Sequence, residues 1–440
     1  MLRRSLLGVL AAVSVLAASL ALPASSATAQ AAPGPAFGSQ FHGMWGDYTD
    51  AQRTVVLDQL AAHGTEWVRL DVSWAMLQPD GPDSYSTWGV GFVDRVLKMI
   101  TDRGMKPLVM LWMTPAWANG GAGERALPHD PHHYANAARW AANRWAGTVP
   151  AWEVWNEPND NHFMTGADPV AYGRLLQTAY PAIKAGDPST QVVFGGPMYN
   201  DVDWIRRAYD AGARGSFDVM ATHPYMGVAD REPEFSDGTK WTLQHARAVH
   251  DLMVANGDGH KPIWFTEFGW SSHANTGTEK NYQRGVTLAQ QADYLIRTLD
   301  LLTREMPFVT NVFWYNERDR DTSNVQLGNY GLMFGDLRPK PVLTALRDYR
   351  AARGAVSQPV PEPVAVDPVT NEPLPSEPVQ TEPVPITPEP TTDPVTEPGT
   401  TSPTTEPLTE PPSALIVSCP YTNGTTKAQT VLCSARAYVR

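Results

Sequence analysis

Along the first 350 residues, apolar positions fall into two alternating kinds of stretch. Short runs rich in Val, Ile, Leu, Phe and Trp are followed by longer segments in which apolar residues recur every three or four positions. The first pattern is that of a strand buried on both faces, the second that of an amphipathic helix. Strands are predicted at 41–46, 67–72, 107–112, 151–157, 191–196, 217–223, 262–269 and 312–315. Helices are predicted at 50–62, 91–101, from 131 onward, and at 169–185, 240–255, 289–304 and 341–353. Gly64 and Gly104 follow two of these as C-terminal stops, and Asp130-Pro131 and Asp168-Pro169 open two others as N-cap and first helical residue. Eight strands alternating with helical segments predict an α/β fold, a parallel (β/α)8 TIM barrel over 37–353.

The rest of the 440-residue chain is of another kind. Residues 1–29 read as an export signal, with Arg3 and Arg4, an apolar stretch over 6–22 and a small-x-small exit at Ala27-Thr28-Ala29. A single membrane anchor is the competing reading, which Pro23 and the Ala/Ser-rich exit disfavour. Export by the twin-arginine route is weakly raised by the Arg pair. From 358 to 412 the composition shifts to a Pro/Glu/Thr-rich linker with 17 prolines and no Lys or Arg. It cannot bury a core and is expected to be an extended, self-repelling spacer. The tail, 413–440, holds both cysteines, Cys419 and Cys433. They could form one disulfide, or the tail could be disordered.

Net charge is −12, and the linker's ten acids account for all but two of it. A nearly neutral body excludes nucleic acid as a partner, because phosphate binding needs a basic face. No later segment has the roughly 20 apolar residues of a membrane span, so none is expected after signal cleavage. Secretion, to the extracellular space or the cell envelope, follows as the expected localisation, and a monomer as the expected state. Fifteen Trp are present, many beside predicted strand ends, where flat rings can meet sugar faces. Core packing is the expected role of about half of them.

The candidate chemistry lies at two strand ends. Residues 151–159 read Ala-Trp-Glu-Val-Trp-Asn-Glu-Pro-Asn. Pro158 cannot donate to a sheet ladder, so this strand is expected to end at or just before Glu157, leaving Asn156 and Glu157 at its tip. Glu153 and Glu157 are expected on one face, with Val154 and Asn156 on the other. Glu153 is read as structural, buried in the barrel wall. A second acid, Glu267, ends the run Pro-Ile-Trp-Phe-Thr-Glu-Phe-Gly-Trp at 262–270. The 110 residues between Glu157 and Glu267 equal three βα units of about 37, placing the acids on strands 4 and 7 of one barrel. His129, His132 and His133 lie close together, but His132 and His133 are first-turn residues of a helix and no His-Glu-x-x-His is present; no metal is expected.

Trp152 to Asn159 together with Thr266-Glu267-Phe268-Gly269-Trp270 resembles clan A of the glycoside hydrolases, most like family 39 and its endo-acting, exopolysaccharide-cleaving relatives, with family 5 next. The resemblance covers about 42–353. It implies Glu157 as general acid/base, Glu267 as nucleophile and Asn156 as a partner of the sugar 2-OH. It implies that Arg69 and Tyr225 hold Glu267 ionised and oriented, that His223 supports the acid/base, and that Trp314 is the platform under the cleaved sugar. His42, Trp45, Asp47, Trp112 and Trp117 are looser subsite candidates. Asp319 is looser still, since it could pair with Arg318 or Arg320. No cofactor is required.

These readings converge on a secreted retaining glycoside hydrolase acting on a polysaccharide or oligosaccharide of the extracellular space or cell envelope. An endo mode is favoured by aromatic residues in several strand-end loops. The alternatives are an exo-glycosidase of β-xylosidase type and a non-catalytic carbohydrate-binding envelope protein.

Overall fold

The computed structural model describes residues 34–353. The signal at 1–29, the linker at 358–412 and the tail at 413–440 with its two cysteines lie outside the described residues. Eight parallel strands alternate with helices: β1 (Ala36–Phe41), α1 (Asp50–Ala62), β2 (Trp67–Ser73), α2 (Trp74–Leu77), α3 (Thr87–Thr101), β3 (Lys106–Trp112), α4 (Ala116–Asn119), α5 (Pro131–Arg144), β4 (Ala151–Val154), α6 (Pro169–Gly186), β5 (Gln191–Phe194), α7 (Val202–Ala208), β6 (Met220–Thr222), α8 (Ala246–Ala255), β7 (Ile263–Phe268), α9 (Leu288–Glu305), β8 (Val309–Trp314), α10 (Val325–Gly328) and α11 (Pro341–Ala352). The ladder runs β5-β4-β3-β2-β1-β8-β7-β6. Its two ends meet through a parallel bridge between Val193 and Val219, and the Phe194 N–H donates to the Val219 carbonyl at 2.9 Å. The result is a nearly closed (β/α)8 barrel.

Strand parity divides the buried residues into two bodies. Val, Leu and Phe side chains on the outer face pack against the helices and form the large core. A smaller cluster, including Trp67, Leu108, Val193, Val219, Trp264 and Phe313, plugs the inside of the barrel. Two residues further along the same strands, the filling becomes polar: Arg69 follows Trp67, Glu153 follows Ala151, Thr266 follows Trp264, and Gln40 follows Gly38. The apolar plug is therefore the floor on which the polar site stands.

The helix starts follow local chemistry. Thr49 caps α1 in a reciprocal box with Gln52, and Asp130 and Asp168 cap α5 and α6 ahead of Pro131 and Pro169. Four expectations need correction. Strand β1 occupies 36–41, not 41–46; Gln40, facing the polar layer inside the barrel, and Ser39, on the opposite face, interrupt its apolar run and hide it, and 42–47 is the loop that follows. Strand β4 ends at Val154, because Trp155 and Glu157 take left-handed backbone, with φ of 74° and 40°. Helix α8 starts at Ala246 after a short turn at Leu243–His245, because Thr242 is extended and Lys240 is drawn away to Asp201 at 2.6 Å. Helix α7, between β5 and β6, was not expected; seven residues are too few for a helical period to show.

The barrel interior leaves no room at Gly38, where an added Cβ would lie 2.4 Å from the Phe313 ring and 3.0 Å from the Trp67 Cβ. Gly38→Val is expected to destabilise the protein by roughly 1–3 kcal/mol through overpacking. Thermal or urea unfolding checks this, and an unchanged midpoint would contradict the packing described.

Candidate active site

Arg69 is 1% exposed and sits at the centre of the polar layer. Its Nε donates to Glu153 Oε2 at 2.6 Å, and Nη1 donates to Glu267 Oε1 at 2.6 Å and to Gln40 Oε1 at 2.8 Å. Nη2 donates to Asn156 Oδ1 at 2.8 Å. One guanidinium thus ties β1, β2, β4 and β7 together and orients both Asn156 and Glu267. Glu153, read from the sequence as a wall residue, is the partner that shares Arg69 with Glu267. The left-handed turn after Val154 brings Asn156 to the same side as Glu153 and Glu157, so the expected alternation does not extend past the strand.

Glu267 also accepts from the Tyr225 hydroxyl, Oε2 to Oη at 2.9 Å. Burial would raise the Glu267 carboxyl, but His223 and Arg69 beside it and the hydrogen bonds from Tyr225 and Arg69 hold it below the ordinary value. Because His223 is itself neutral, Arg69 carries the charge part of that effect. Glu157 is driven the other way: burial first, then the charge of Glu267, raises it well above the ordinary carboxylate value. Two carboxyls in one pocket are therefore split, one kept ionised and the other kept protonated.

Hydrogen-bond counting gives the same assignment. Burial depresses the His223 ring to about 3, so the imidazole is neutral and carries one N–H. Its Nε2 lies 3.0 Å from Thr266 Oγ1 and its Nδ1 2.8 Å from Glu157 Oε1. Burial raises Glu153 too, yet Arg69 Nε–H and the Gly196 N–H, which can only donate, each point at one of its oxygens, the surroundings of a carboxylate. Thr266 has one hydroxyl hydrogen and donates it to Glu153 Oε1 at 2.8 Å. Thr266 Oγ1 then accepts from His223 Nε2–H. That leaves a lone pair on Nδ1, which accepts from Glu157, and Glu157 can donate there only when protonated. Glu153, Thr266 and His223 form a buried chain that favours the acid form of Glu157.

Oxygens of Glu157 and Glu267 and a ring nitrogen of His223 all lie within 4.8 Å of one another. By spacing alone the three could hold a cation. The guanidinium on Glu267 and the protonated state of Glu157 make this a poor metal site, since both supply positive charge or protons where an ion would need lone pairs.

The remaining sequence candidates are distributed unevenly. Trp314 is fully buried, and this corrects its reading as a platform: strand parity turns Phe313 and Tyr315 inward and Trp314 outward, where it packs on Phe268 and Trp270 and donates Nε1–H to the Tyr330 carbonyl at 2.7 Å. Tyr315 takes the inward position instead, with His42, Tyr225 and Tyr330 rings edge-on at 5.6, 6.4 and 5.7 Å. His42 is buried against Glu317, Nδ1 to Oε2 at 3.0 Å, and its ring lies 4.2 Å from that of Trp45. Trp45 donates to Asp71 at 2.8 Å, and Trp117 to the Gln78 carbonyl at 2.7 Å. Trp112 is buried, 6.3 Å from Phe163. Asp319 pairs with Lys340 at 2.6 Å, not with Arg318 or Arg320, which hold Asp47 instead.

Three participants were not legible as such. Glu317, fully buried and held down to about 2 by His42 and Tyr48 against its burial, joins the loops after β1 and β8. Tyr330 comes from a loop with no periodic signal. Thr266 was quoted as part of the motif, but its role depends on contacts across the barrel.

Thr266→Val is expected to free His223 to carry its proton on Nδ1, which stabilises ionised Glu157 and lowers its pKa. Because the acid is lost as pH rises through that pKa, the alkaline limb of kcat/KM should move to lower pH. Loss of a buried partner should also cost about 1–3 kcal/mol of stability. Thr266→Ser should restore the limb; an unmoved limb in the Val variant would refute the chain.

The fold agrees with comparisons to known proteins. The model for Cellulase (glycosyl hydrolase family 5) matches residues 27–300. A solved family 39 glycoside hydrolase from Bacteroides cellulosilyticus WH2 is similar with a TM-score of 0.58 and 26% identity, over 73% of this chain and 64% of that one. GH5_18 from Streptomyces cattleya, solved with GlcNAc, shares the fold with a TM-score of 0.58 at 21% identity, over 75% and 83% of the two chains. The β-xylosidase of Caldicellulosiruptor saccharolyticus is 29% identical over 179 residues, 37% of this chain and 35% of that protein. The match thus spans about a third of that relative's length. Both families that the motifs resembled, 39 and 5, recur here. With well over half of the chain matched by the model, the protein belongs to the family described as Cellulase (glycosyl hydrolase family 5), within clan A of the glycoside hydrolases.

Proposed function

We propose that the protein is a secreted, retaining glycoside hydrolase that cleaves an extracellular or cell-envelope polysaccharide, with Glu157 as acid/base and Glu267 as nucleophile. The observation that carries this reading is the opposite electrostatic bias of two carboxyls whose oxygens come within 4.8 Å. Retaining enzymes space their carboxyls about 5–5.5 Å apart, and inverting enzymes about 6.5–9.5 Å apart to admit a water. The shorter class fits this pair.

In the first step a Glu267 oxygen attacks the anomeric carbon while the bond to the leaving oxygen breaks. Glu157 gives its proton to that oxygen, so the aglycone departs as an alcohol. The positive character of the transition state is met by the Glu267 charge, and Asn156, oriented by Arg69, is placed to bind the neighbouring hydroxyl. The glycosyl ester removes the negative charge of Glu267, so Glu157, now ionised, is less repelled and serves as base. It takes a proton from water, whose oxygen attacks the anomeric carbon and releases Glu267.

The leader at 1–29 and the acidic, proline-rich spacer support secretion and display at a surface. Aromatic loops at the barrel mouth support an endo mode. The β-xylosidase relatives favour a second reading, exo-cleavage from a chain end, and product sizes from a long substrate discriminate: early oligosaccharides of mixed length for endo, monosaccharide alone for exo.

Glu267→Gln should leave the fold intact and lower turnover by ~10⁴-fold or more, because the amide cannot form the ester. Activity within tenfold of the wild type would remove Glu267 from the role. Glu157→Ala should still be glycosylated by substrates with good leaving groups, and azide should then restore turnover. Proton NMR of the first-formed anomer is expected to show retained configuration, and inversion would mean that one acid is misassigned. In the native enzyme, kcat/KM should fall at high pH as Glu157 loses its proton, above the ordinary carboxylate range, and at low pH as Glu267 gains one, below it.

A further inference from the structure

The turn that carries Glu157 is tied to the histidine beside it by a second route. Residues 157–160 close a turn in which the Asp160 N–H donates to the Glu157 carbonyl at 2.9 Å. Pro158 and Asn159 fill its two central positions. Glu157 itself has φ 40°, although the residue before a proline normally takes extended backbone. Such a conformation persists only where the surroundings impose it.

Asn159 supplies the anchoring contact. Its amide is used twice: Nδ2–H donates to the Met198 carbonyl at 2.9 Å, and Oδ1 accepts from the Met198 N–H at 2.7 Å. Proline and asparagine are ordinary turn residues, so the turn alone would explain their presence. It does not explain a side chain that satisfies both backbone groups of a residue 39 positions away.

The segment that Asn159 grips is also the cradle of His223. The Tyr199 N–H donates to the His223 carbonyl, and the His223 N–H donates to the Pro197 carbonyl, both at 2.9 Å. The Thr222 hydroxyl donates to the Tyr199 carbonyl at 2.8 Å. Gly196 lies against the imidazole: an added Cβ would be 2.5 Å from Nε2 and 2.6 Å from Thr266 Oγ1. His223 is therefore held by its backbone and its ring to residues 196–199, and its Nδ1 meets Glu157 Oε1 at 2.8 Å. The contacts close a circuit from Glu157 through Asn159, Met198 and His223 back to Glu157. Proton transfer needs the donor within hydrogen-bond reach of the leaving oxygen, and a misplacement of about 1 Å can cost ~10²-fold.

We infer that Asn159 is a positioning residue for the acid/base: by clamping Met198 it fixes the backbone of Glu157 relative to His223 and so aims the acid. This rests on the catalytic reading above, since it takes Glu157 as the proton donor. The task needs a donor and an acceptor on one short side chain. Aspartate lacks the donor, and a single serine hydroxyl cannot span both groups.

Without the clamp the loops after β4 and β5 part, water reaches Glu157, and its contact with Nδ1 lengthens. Burial is the largest cause of the raised Glu157 value, and Nδ1 accepts only from the acid form, so both changes lower the pKa. Substituting Asn159 removes none of the charges that act on Glu157, those of Glu267, Asp160, Arg69 and Glu153.

The first test is an NMR titration of the full chain, carbon-13-labelled at the glutamate carboxyls, with the Glu157 signal assigned by its loss in Glu157→Gln. In the native protein Glu157 should titrate above the ordinary carboxylate range. In Asn159→Ala it should titrate about one unit lower, the scale of one hydrogen bond. Asn159 does not share the left-handed backbone of Glu157, so alanine keeps the turn. Asp168→Ala, which removes the N-cap of α6 on the same connection, controls for general loosening and should leave the value unchanged. The second test uses phenyl and 2,4-dinitrophenyl β-glycosides of xylose, glucose and mannose. Phenol departs only with help from the acid, and dinitrophenolate departs without it. The phenyl-to-dinitrophenyl ratio of kcat/KM should fall about tenfold in Asn159→Ala, part of the roughly 10²–10⁴-fold that positioned proton transfer contributes. A Glu157 value unmoved in Asn159→Ala, an equal shift in Asp168→Ala, or an equal fractional loss on both kinds of substrate would overturn the positioning role and leave the catalytic reading standing. A native Glu157 that titrates in the ordinary carboxylate range would overturn both.

Discussion

The buried charge of Arg69 is the constraint on which the rest of the site depends. A guanidinium inside a barrel costs several kcal/mol of lost hydration unless it is paired and fully hydrogen-bonded. Here that cost is offset by two carboxylates, an amide from β1 and the amide of Asn156. Each partner is fixed in turn, because it must stay in place for Arg69 to remain satisfied. Glu153 takes one share of the charge, so Glu267 is stabilised as an anion without being sealed in a closed pair, and its second oxygen remains held by a hydroxyl at Tyr225. The floor of Trp67, Trp264 and Phe313 excludes water from below and so keeps these interactions in a low dielectric.

From that ion cluster the electrostatic division of the mouth follows. Arg69 bonds directly to Glu267 and not to Glu157. The acid is left with a neutral imidazole and with the repulsion of its anionic neighbour, both of which favour its protonated form. A direct bond from a single cation to one carboxyl and not to the other is enough to give two chemically identical side chains opposite states, and the Thr266 hydroxyl adds direction by choosing which nitrogen of His223 carries the proton.

The rim is built by loops that are pinned to these same strands. Glu317 holds the segments after β1 and β8 together, and Asn159 holds the segment after β5 against the one after β4. Aromatic rings divide accordingly: Tyr315 and Tyr330 close the side of Glu267, while Tyr199, Trp241 and Tyr282 stand on the side of Glu157.

Residues by themselves determined a good deal. Alternating strand and helix periods established the barrel, since a strand buried on both faces must be continuously apolar and its covering helix must show a stripe. Glu157 and Glu267 were legible because each interrupts an apolar run at a strand end, followed by a proline or glycine that stops the strand. Helix α1 was read to its boundaries, because its apolar spacing and the Gly64 stop are local signals. Tertiary structure decided what depends on facing direction and on partners distant in sequence. Gln40 belongs to β1 because the barrel interior above Gly38 is polar. Trp314 turns away from the mouth, and Tyr315 enters it, because parity on β8 is set by the ladder and not by residue type. Glu153 and Thr266 gained their parts from contacts 84 and 113 residues apart in the chain, where no sequence spacing points from one to the other.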